Sequence, residues 1–202
     1  EVDHRISPMT APEGFTGELR PYQERGLAWL SFLESVGLGG VLADDMGLGK
    51  TVQLLALICS GAPAQGGPTQ AGPTLLVCPM SLVGNWQREA ARFAPGLRVH
   101  VHHGAERPRG AAFEKVVASS DLVVTTYGLV IRDVEALRAM SWRRVVLDEA
   151  QAVKNAATRA AVAVRALPSP HRFAVTGTPV ENRLGDLWSL MEFANPGLLG
   201  QP

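Results

Sequence analysis

The chain has 202 residues, of which 46% are hydrophobic, enough apolar material to bury one good-sized core. Its 19 lysines and arginines balance 19 aspartates and glutamates, so the overall charge does not indicate a polyanionic partner. The sequence contains no apolar run of about 18 residues, and its first residues are polar, so we expect neither a membrane-spanning helix nor a signal peptide within it.

The first segment differs in composition from the rest of the chain. Residues 1–18 contain several prolines and glycines with little periodicity, so we expect a linker or the end of an upstream region. Pro21 is a typical first residue of a helix, because that position needs no N–H donor. The sequence therefore predicts one folded domain over residues 19–202. Because the chain does not start with Met, we also expect a piece of a longer protein.

Short apolar runs alternate with helical patterns along the domain. The runs are rich in Val and Leu without polar alternation, which is typical of parallel strands buried on both faces. The predicted strands are 40–43, 74–78, 99–102, 122–126, 144–147 and 172–175. The predicted helices, after the one that starts at Pro21, are 50–60, 82–94, 110–118, 128–139, 156–166 and 184–194. This order predicts an α/β fold with a mostly parallel sheet and helices on both faces, and a mobile surface loop at 61–73.

A glycine-rich loop in the sequence VLADDMGLGKTVQ follows the first strand. Gly47 and Gly49 let backbone N–H groups approach phosphate oxygens, and the following helix N-terminus adds positive potential. We predict that Lys50 reaches the β- and γ-phosphates of ATP and that the Thr51 hydroxyl binds Mg²⁺. Asp44 stands where the usual pattern has glycine, so an ordinary strand-to-helix turn is the alternative. The predicted ATP-binding loop residues are Asp44, Asp45, Met46, Gly47, Leu48, Gly49, Lys50 and Thr51.

Two adjacent acids end a later strand, in the sequence RRVVLDEAQ. Because successive side chains of a strand point to opposite faces of the sheet, two adjacent acids at its end cannot serve the same function. We predict that Asp148 binds the magnesium shell and that Glu149 orients and deprotonates the attacking water. Solvated loop acids are the alternative for this pair taken alone. The phosphate loop upstream favours a site that hydrolyses ATP.

Six segments resemble, in order, the successive motifs of SWI/SNF-type ATPases in helicase superfamily two. They are LRPYQERGLAWL (19–30), LADDMGLGKTVQ (42–53), LLVCPMSLVGNWQREAARF (75–93), DLVVTTYGL (121–129), VVLDEAQAVKN (145–155) and VTGTPVENRLGDLWSLMEFANPGLLG (175–200). The resemblance implies a P-loop NTPase fold: the first RecA-like lobe of a two-lobed translocase. It further implies ATP-driven movement on double-stranded DNA that displaces or remodels bound proteins without strand separation.

The resemblance also implies roles for individual residues. Gln23 would read the adenine of ATP, with Tyr22 and Arg20 nearby. The helicase box would be Asp148, Glu149, Ala150 and Gln151. The nucleic-acid track would be lined by Pro79, Ser81, Thr125, Thr126, Tyr127 and Gly128. Coupling between the nucleotide site and that track would fall to Thr176, Gly177, Thr178 and Pro179.

Three features depart from the family pattern. Many members have Glu in place of Asp45 and His in place of Gln151, and we expect neither change to abolish hydrolysis. Gln151 is instead expected to alter how the nucleotide site senses the second lobe. The sequence stops about where that lobe would begin, and the lobe normally supplies arginines to the ATP site. We therefore expect residues 1–202 alone to hydrolyse almost no ATP; Arg183 is the nearest internal substitute in sequence.

Several other residues admit simpler interpretations. His100, His102 and His103 are interpreted as a solvated or phosphate-near cluster rather than a metal site. The mildly basic middle of the chain fits an ordinary charged surface as well as a DNA-facing patch. Cys59 and Cys78 are interpreted as reduced, buried thiols. Trp29, Trp86, Trp142 and Trp188 are interpreted as packing residues, with Trp86 the best candidate for stacking on a base.

The sequence leaves three other functional hypotheses beside the duplex translocase. One is a binding module that holds ATP or DNA without turnover, another a strand-separating helicase, and the third a small-molecule kinase. The glutamine motif and the TGTP segment argue against the kinase. The expected partners are double-stranded DNA and the second lobe, without a membrane and with an unknown protein target. The expected location is the nucleoid-associated cytoplasm of a bacterium or the nucleus of a eukaryote.

Overall fold

The computed structural model describes residues 6–45, 47–61, 72–178 and 184–200. The strands are β1 (Gly40–Leu42), β2 (Thr74–Cys78), β3 (Val99–Val101), β4 (Leu122–Thr126), β5 (Arg144–Leu147) and β6 (His171–Val175). The helices are α1 (Pro21–Ser35), α2 (Lys50–Ser60), α3 (Met80–Phe93), α4 (Ala111–Ala118), α5 (Tyr127–Arg132), α6 (Val134–Arg138), α7 (Arg159–Arg165) and α8 (Leu184–Ala194). Within these described ranges, none of the helices has the length and apolar character needed to cross a bilayer.

The six strands form one parallel sheet in the order β1-β6-β5-β2-β4-β3. From β1 the chain moves across the sheet to β2 and then to the edge at β3. It then reverses through β4, β5 and β6. Because crossovers between parallel strands are right-handed, this reversal moves the connecting helices to the opposite face.

Two apolar cores confirm that helices cover both faces of the sheet. One core joins residues of α1, α2 and α3 to strand residues such as Leu76 and Cys78. The other joins α4 to α8 with the alternating strand residues such as Leu75 and Val77. Successive side chains of a strand point to opposite faces, so every residue of β2 and β4 is buried. This double burial explains the unalternated Val- and Leu-rich runs of the sequence.

The two cysteines are buried free thiols, as the sequence predicts. Burial is the main cause that raises the pKa of Cys59 to about 11 and that of Cys78 to about 12. Thiols with such pKa values are protonated at neutral pH and are poor nucleophiles and metal ligands. Both cysteines therefore act as small apolar core residues.

Most predicted elements are present, with three differences in detail. The predicted helix 128–139 is two helices, because the chain leaves helical geometry at Asp133 (φ −111°, ψ 22°). The predicted helix 156–166 starts only at Arg159, since the Thr158 hydroxyl caps it by accepting the N–H of Ala161 at 3.2 Å. A short 3-10 helix, Ala150–Val153, follows β5 and has no counterpart in the prediction.

The segment before α1 packs against the lobe. Its described residues, 6–20, include no regular helix or strand, but Thr16 donates its N–H to the carbonyl of Phe93 at 2.7 Å. Phe15 stacks on the Phe93 ring with centroids 5.8 Å apart. Residues 6–18 thus contribute to the surface of the folded unit. The predicted mobile loop lies, for residues 62–71, outside the described residues.

A buried ion pair anchors α1 to the amino end of β5. The Arg144 side chain is 2% exposed, and its Nε and Nη2 both donate to the Glu34 carboxylate. The Nη2 to Oε2 distance is 2.8 Å. A buried guanidinium without a carboxylate is strongly unfavourable, so this pair holds α1 in place.

We expect Glu34→Gln to lower the free energy of unfolding by about 3 kcal/mol, because it leaves the Arg144 charge buried and unneutralised. Urea denaturation of the protein measures the change. Glu135→Gln is the matched control, because the Glu135–Arg138 pair is exposed and is expected to contribute less than about 0.5 kcal/mol. Equal losses in the two variants would contradict the anchoring role.

Candidate active site

The loop between β1 and α2 has the backbone that a phosphate cradle requires. Gly47 and Gly49 have φ values of 85° and 75°, a left-handed region that favours glycine. Lys50 opens α2, and its Nζ donates to the carbonyl oxygens of Asp44 at 2.6 Å and Asp45 at 2.9 Å. The loop therefore curls around the lysine ammonium. Met46 lies outside the described residues.

Asp44 occupies the position where the phosphate-loop pattern has glycine. Glu149 is the one non-glycine residue with a positive φ in the described part of the chain, so Asp44 needs no glycine-like conformation. Its carboxylate accepts a hydrogen bond at 3.2 Å from Nε2 of Gln53, a fully buried residue of α2. The aspartate at this position is thus stabilised by a hydrogen bond from helix α2. The sequence analysis missed Gln53, although an amide beside the apolar run LLALIC is a signal for such a role.

Gln23 connects α1 to the phosphate loop. Its Oε1 accepts the backbone N–H of Arg20 at 2.9 Å, and its Nε2 donates to the carbonyl of Leu48 at 3.2 Å. A Cβ added to Gly49 would collide with the Gln23 amide. The structure thus brings Gln23 directly against the loop that the sequence predicts to bind phosphate. Its adenine-reading role stays a prediction.

A cavity of about 520 Å³ adjoins the phosphate loop. Asp44 belongs both to its wall and to the loop, so the cavity opens beside the nucleotide site. Two aromatic side chains from α1, Tyr22 and Trp29, give it a partly apolar lining suited to a planar base. The lining residues are Ile6, Tyr22, Arg25, Gly26, Trp29 and 41–44.

Asp148 is buried after the end of β5, and both of its carboxylate oxygens accept hydrogen bonds. The indole N–H of Trp86 donates to Oδ2 at 2.7 Å, and the backbone N–H of Glu149 donates to Oδ1 at 2.9 Å. Burial raises the pKa of the Asp148 carboxyl, while these two hydrogen bonds and the charge of Lys50 act to lower it. Lys50 follows β1 and Asp148 follows β5, so both lie at the carboxyl edge of the same parallel sheet.

Glu149 lies next to Asp148 in a left-handed conformation, with φ 49° and ψ 54°. This conformation costs a non-glycine residue on the order of 1–3 kcal/mol and is typical of functional sites. Its Oε2 accepts from Nε2 of Gln151 at 2.6 Å, and Oε1 of Gln151 accepts from the Thr176 hydroxyl at 3.1 Å. Thr176 Oγ1 accepts the N–H of Thr178 at 3.1 Å. A hydrogen-bonded chain therefore runs from Glu149 to the loop after β6.

The remaining predicted residues of the helicase box and coupling segment differ in accessibility. Ala150 is fully buried, so it serves packing alone. Gly177 is half-buried beside the exposed Thr178. Pro179 and Arg183 lie outside the described residues.

The donor atoms at this edge of the sheet fit a magnesium ion bound with a nucleotide. Thr51 is the second residue of α2, directly after Lys50, and Asp148 supplies a carboxylate whose pKa the charge of Lys50 acts to lower. Mg²⁺ prefers oxygen ligands and in nucleotide sites combines one or two carboxylates with substrate phosphates. A hydroxyl and a carboxylate beside a phosphate cradle match that donor set.

The candidate track residues divide into surface and supporting positions. Ser81 and Gly128 are exposed, and Pro79 is half-buried before α3. Thr125 and Thr126 are buried, and the Thr125 hydroxyl donates to a backbone carbonyl at 3.1 Å. The Thr125 side chain therefore supports the track from beneath and does not present itself to a ligand.

The histidine cluster is not solvated as the sequence analysis expected. His102 is 2% exposed, and its Nε2 lies 3.0 Å from Oδ2 of Asp133. Arg107 donates to both oxygens of the same carboxylate and holds the pKa of Asp133 below its usual range. Asp133 lies 31 residues after His102 in sequence, so the spacing of residues around the histidines does not indicate this partner. Of the three histidines only His103 is exposed, and His100 is half-buried.

Trp86 is not a base-stacking platform. It is 1% exposed, and its one polar atom is bonded to Asp148. The packing interpretation is confirmed for Trp86 and for Trp142, which is 2% exposed. Trp29 and Trp188 are half-buried. The hydrogen bond from Trp86 to Asp148, like the role of Gln53, was not predicted from the sequence.

This geometry defines the nucleotide-binding lobe of a P-loop NTPase with a RecA-like fold. Comparison with known proteins gives the particular family: residues 22–202 match the SNF2-related domain, and the chain belongs to that family. The fold agrees with a solved structure, the Sulfolobus solfataricus SWI2/SNF2 ATPase core in complex with dsDNA. The TM-score is 0.82 at 40% identity, over 97% of this chain and 39% of that one.

Curated relatives are similar over nearly the whole chain. YwqA of Bacillus subtilis, named as an ATP-dependent helicase/translocase, is 46% identical over 198 residues, which cover 98% of this chain and 21% of YwqA. The TATA-binding protein-associated factor mot1 of Aspergillus fumigatus is 39% identical over 206 residues, which cover 97% of this chain and 11% of mot1. The chain thus spans about a fifth or less of these relatives.

We expect Gln23→Ala to weaken ATP binding, because it removes the bond to the Leu48 carbonyl that supports the phosphate loop. If Gln23 also reads adenine, the preference for ATP over GTP should fall, since guanine reverses the donor and acceptor pattern of the base edge. Competition binding with both nucleotides separates the two effects. An equal loss for ATP and GTP would leave Gln23 as a loop support and move base recognition elsewhere.

Proposed function

We propose that this chain is the ATP-binding lobe of a DNA-dependent ATPase that translocates on double-stranded DNA and remodels protein–DNA complexes. The observation that carries the proposal is the meeting of two motifs about 100 residues apart in sequence. Lys50 follows β1 and the buried Asp148 follows β5 at the carboxyl edge of one parallel sheet, and the charge of Lys50 acts to lower the pKa of the Asp148 carboxyl. Family membership supports the same chemistry.

In this proposal the residues divide the work of phosphoryl transfer to water. Backbone N–H groups from Gly47 to Thr51 and the Lys50 ammonium hold the phosphates. Thr51 and Asp148 hold Mg²⁺, which when bound neutralises charge on the phosphate oxygens. Glu149 accepts the proton of the attacking water. Little covalent help is needed, so alignment and charge stabilisation supply most of the rate.

Gln151 has a specific place in this arrangement. Its amide donates to Glu149 and accepts from Thr176, so a shift of the loop after β6 changes where the Glu149 carboxylate points. We assign to this chain of bonds the coupling between the nucleotide site and the nucleic-acid track. Glutamine bonds with both an acceptor and a donor at once, which suits the position.

The DNA part of the proposal rests on position and on similarity. The carboxyl ends of β2 and β4 present Ser81 and Gly128 at the edge of the sheet where β1 and β5 carry the nucleotide residues. The solved relative named above was determined in complex with dsDNA. A strand-separating helicase is the second candidate, since YwqA carries the name helicase/translocase. The compartment is the nucleoid-associated cytoplasm in a bacterium or the nucleus in a eukaryote.

We expect Lys50→Ala and Glu149→Gln to separate binding from hydrolysis in the full-length protein. Lys50→Ala removes the main side-chain cation at the γ-phosphate and should abolish turnover with weakened nucleotide binding. Glu149→Gln should retain Mg²⁺ and ATP binding but reduce the rate at least 100-fold, because an amide cannot accept the proton. Fluorescent-nucleotide binding and steady-state hydrolysis give the two readouts. Parent-like turnover by Glu149→Gln would place the base elsewhere.

We expect duplex DNA to stimulate the full-length ATPase and DNA binding to weaken steeply with salt, because phosphate contacts release counterions. Ser81→Glu should weaken DNA binding and lower the stimulation. A negative charge in the first turn of α3 favours the helix, so loss of folding would not explain the effect. Ser119→Glu is the matched control: it is exposed after α4, before the amino end of β4. Stimulation by single strands or RNA alone would replace the duplex translocase with a helicase.

A further inference from the structure

Both segments of the candidate nucleic-acid track donate a hydrogen bond to the same acid. Trp86, on the helix that follows the CPMSL segment, donates its indole N–H to Oδ2 of Asp148 at 2.7 Å. Tyr127, in the TTYG segment, donates its hydroxyl to the backbone carbonyl of Asp148 at 2.8 Å. The side chain and the backbone of the candidate magnesium ligand are therefore each held by one segment of the track.

The two donors are well placed to transmit movement. Pro79 and Ser81 begin α3, and Trp86 lies on the same 14-residue helix, so displacement of its first turn moves the indole with it. Tyr127 is the first residue of α5, next to the exposed Gly128. A nucleic acid that presses on either helix start acts within two turns of a donor to Asp148.

The Trp86 bond orients the carboxylate and is not a by-product of packing. Trp86 is 1% exposed, and its N–H is satisfied by a carboxylate oxygen 62 residues away in sequence. The other carboxylate oxygen accepts the N–H of Glu149, so the carboxylate plane is fixed from both sides. Partners that orient a metal-binding side chain typically change metal affinity by about 10- to 100-fold when removed.

We propose that Trp86 and Tyr127 are positioning residues that couple DNA engagement to the metal affinity of Asp148. The proposal rests on the proposed function and extends it, because it adds a second route between the track and the nucleotide site, through Asp148, to the one through Gln151 and Glu149. DNA that shifts α3 or α5 changes the orientation of Asp148 through these two bonds. By linkage, metal bound at Asp148 changes DNA affinity by the same factor.

The test measures metal binding directly in the full-length protein with ADP bound. Mn²⁺ serves as the probe, and its affinity is determined by electron paramagnetic resonance with and without duplex DNA. In the parent we expect DNA to change Mn²⁺ affinity by about 5-fold or more. Tyr127→Phe keeps the ring and removes only the hydroxyl, whereas Trp86→Phe replaces the indole with a smaller aromatic ring that has no N–H donor. Each variant removes one hydrogen bond to Asp148, and in each we expect the change in Mn²⁺ affinity caused by DNA to fall toward one-fold.

Trp142→Phe is the matched control. It also removes an indole N–H from a buried tryptophan, but that group donates to the carbonyl of Leu137 at 2.8 Å, outside the site. In Trp142→Phe, duplex DNA should change Mn²⁺ affinity by the same factor as in the parent protein. Thermal unfolding separates coupling from stability, and if Trp86→Phe fails to fold, Tyr127→Phe decides the question.

The outcomes distinguish the inference from the proposed function. A parent-like factor in a folded Trp86→Phe or Tyr127→Phe protein, or no DNA effect on Mn²⁺ affinity in a parent whose hydrolysis is stimulated by DNA, overturns the coupling role alone. Absence of any stimulation of the parent by nucleic acid overturns the proposed function itself.

Discussion

The right-handedness of crossovers between parallel strands determines where the functional residues of this chain meet. Because every strand runs in the same direction, all six carboxyl ends lie at one edge of the sheet. The crossovers after β1 and β2 pass over one face, and those after β3, β4 and β5 pass over the other. The helices that follow β1 and β6, which are neighbours in the sheet, cover opposite faces, and ligands of such sheets bind at this kind of switch point. The loop that carries Lys50 follows β1, and Asp148 follows β5, on the other side of β6.

Strand and helix positions follow from the sequence because burial on both faces of a parallel sheet leaves an unalternated apolar run. The phosphate loop and the acid pair could also be predicted, because each is a pattern of neighbouring residues. Contacts between residues that are distant in sequence could not be predicted. Asp133, where the helix breaks, bonds to Arg107 and His102, and no periodicity within residues 128–139 indicates those partners. The orientation of Trp86 likewise depends on an acid 62 residues further on.

The mismatch at Asp44 shows why conformation is a better guide than a residue pattern. A glycine is required only where the backbone is left-handed or another group approaches too closely. Gly47 and Gly49 meet the first condition, and Gly49 also faces the Gln23 amide. Asp44 meets neither, and its carboxylate is held by Gln53. The loop therefore keeps its phosphate-binding shape with an acid in a position where the pattern has glycine.

The two adjacent acids, Asp148 and Glu149, are held in place in different ways. Asp148 is buried, and both of its carboxylate oxygens accept hydrogen bonds, one from the Trp86 indole and one from the backbone N–H of Glu149. Glu149 is in a strained backbone conformation and is held by a single side chain, Gln151, which is itself exposed. A metal ligand benefits from a fixed carboxylate, because reorientation would cost binding energy. A group that must accept a proton only when the substrate is aligned benefits from an orientation that a neighbouring loop can change. The hydrogen bonds that hold the two acids therefore differ in the way that their proposed roles require.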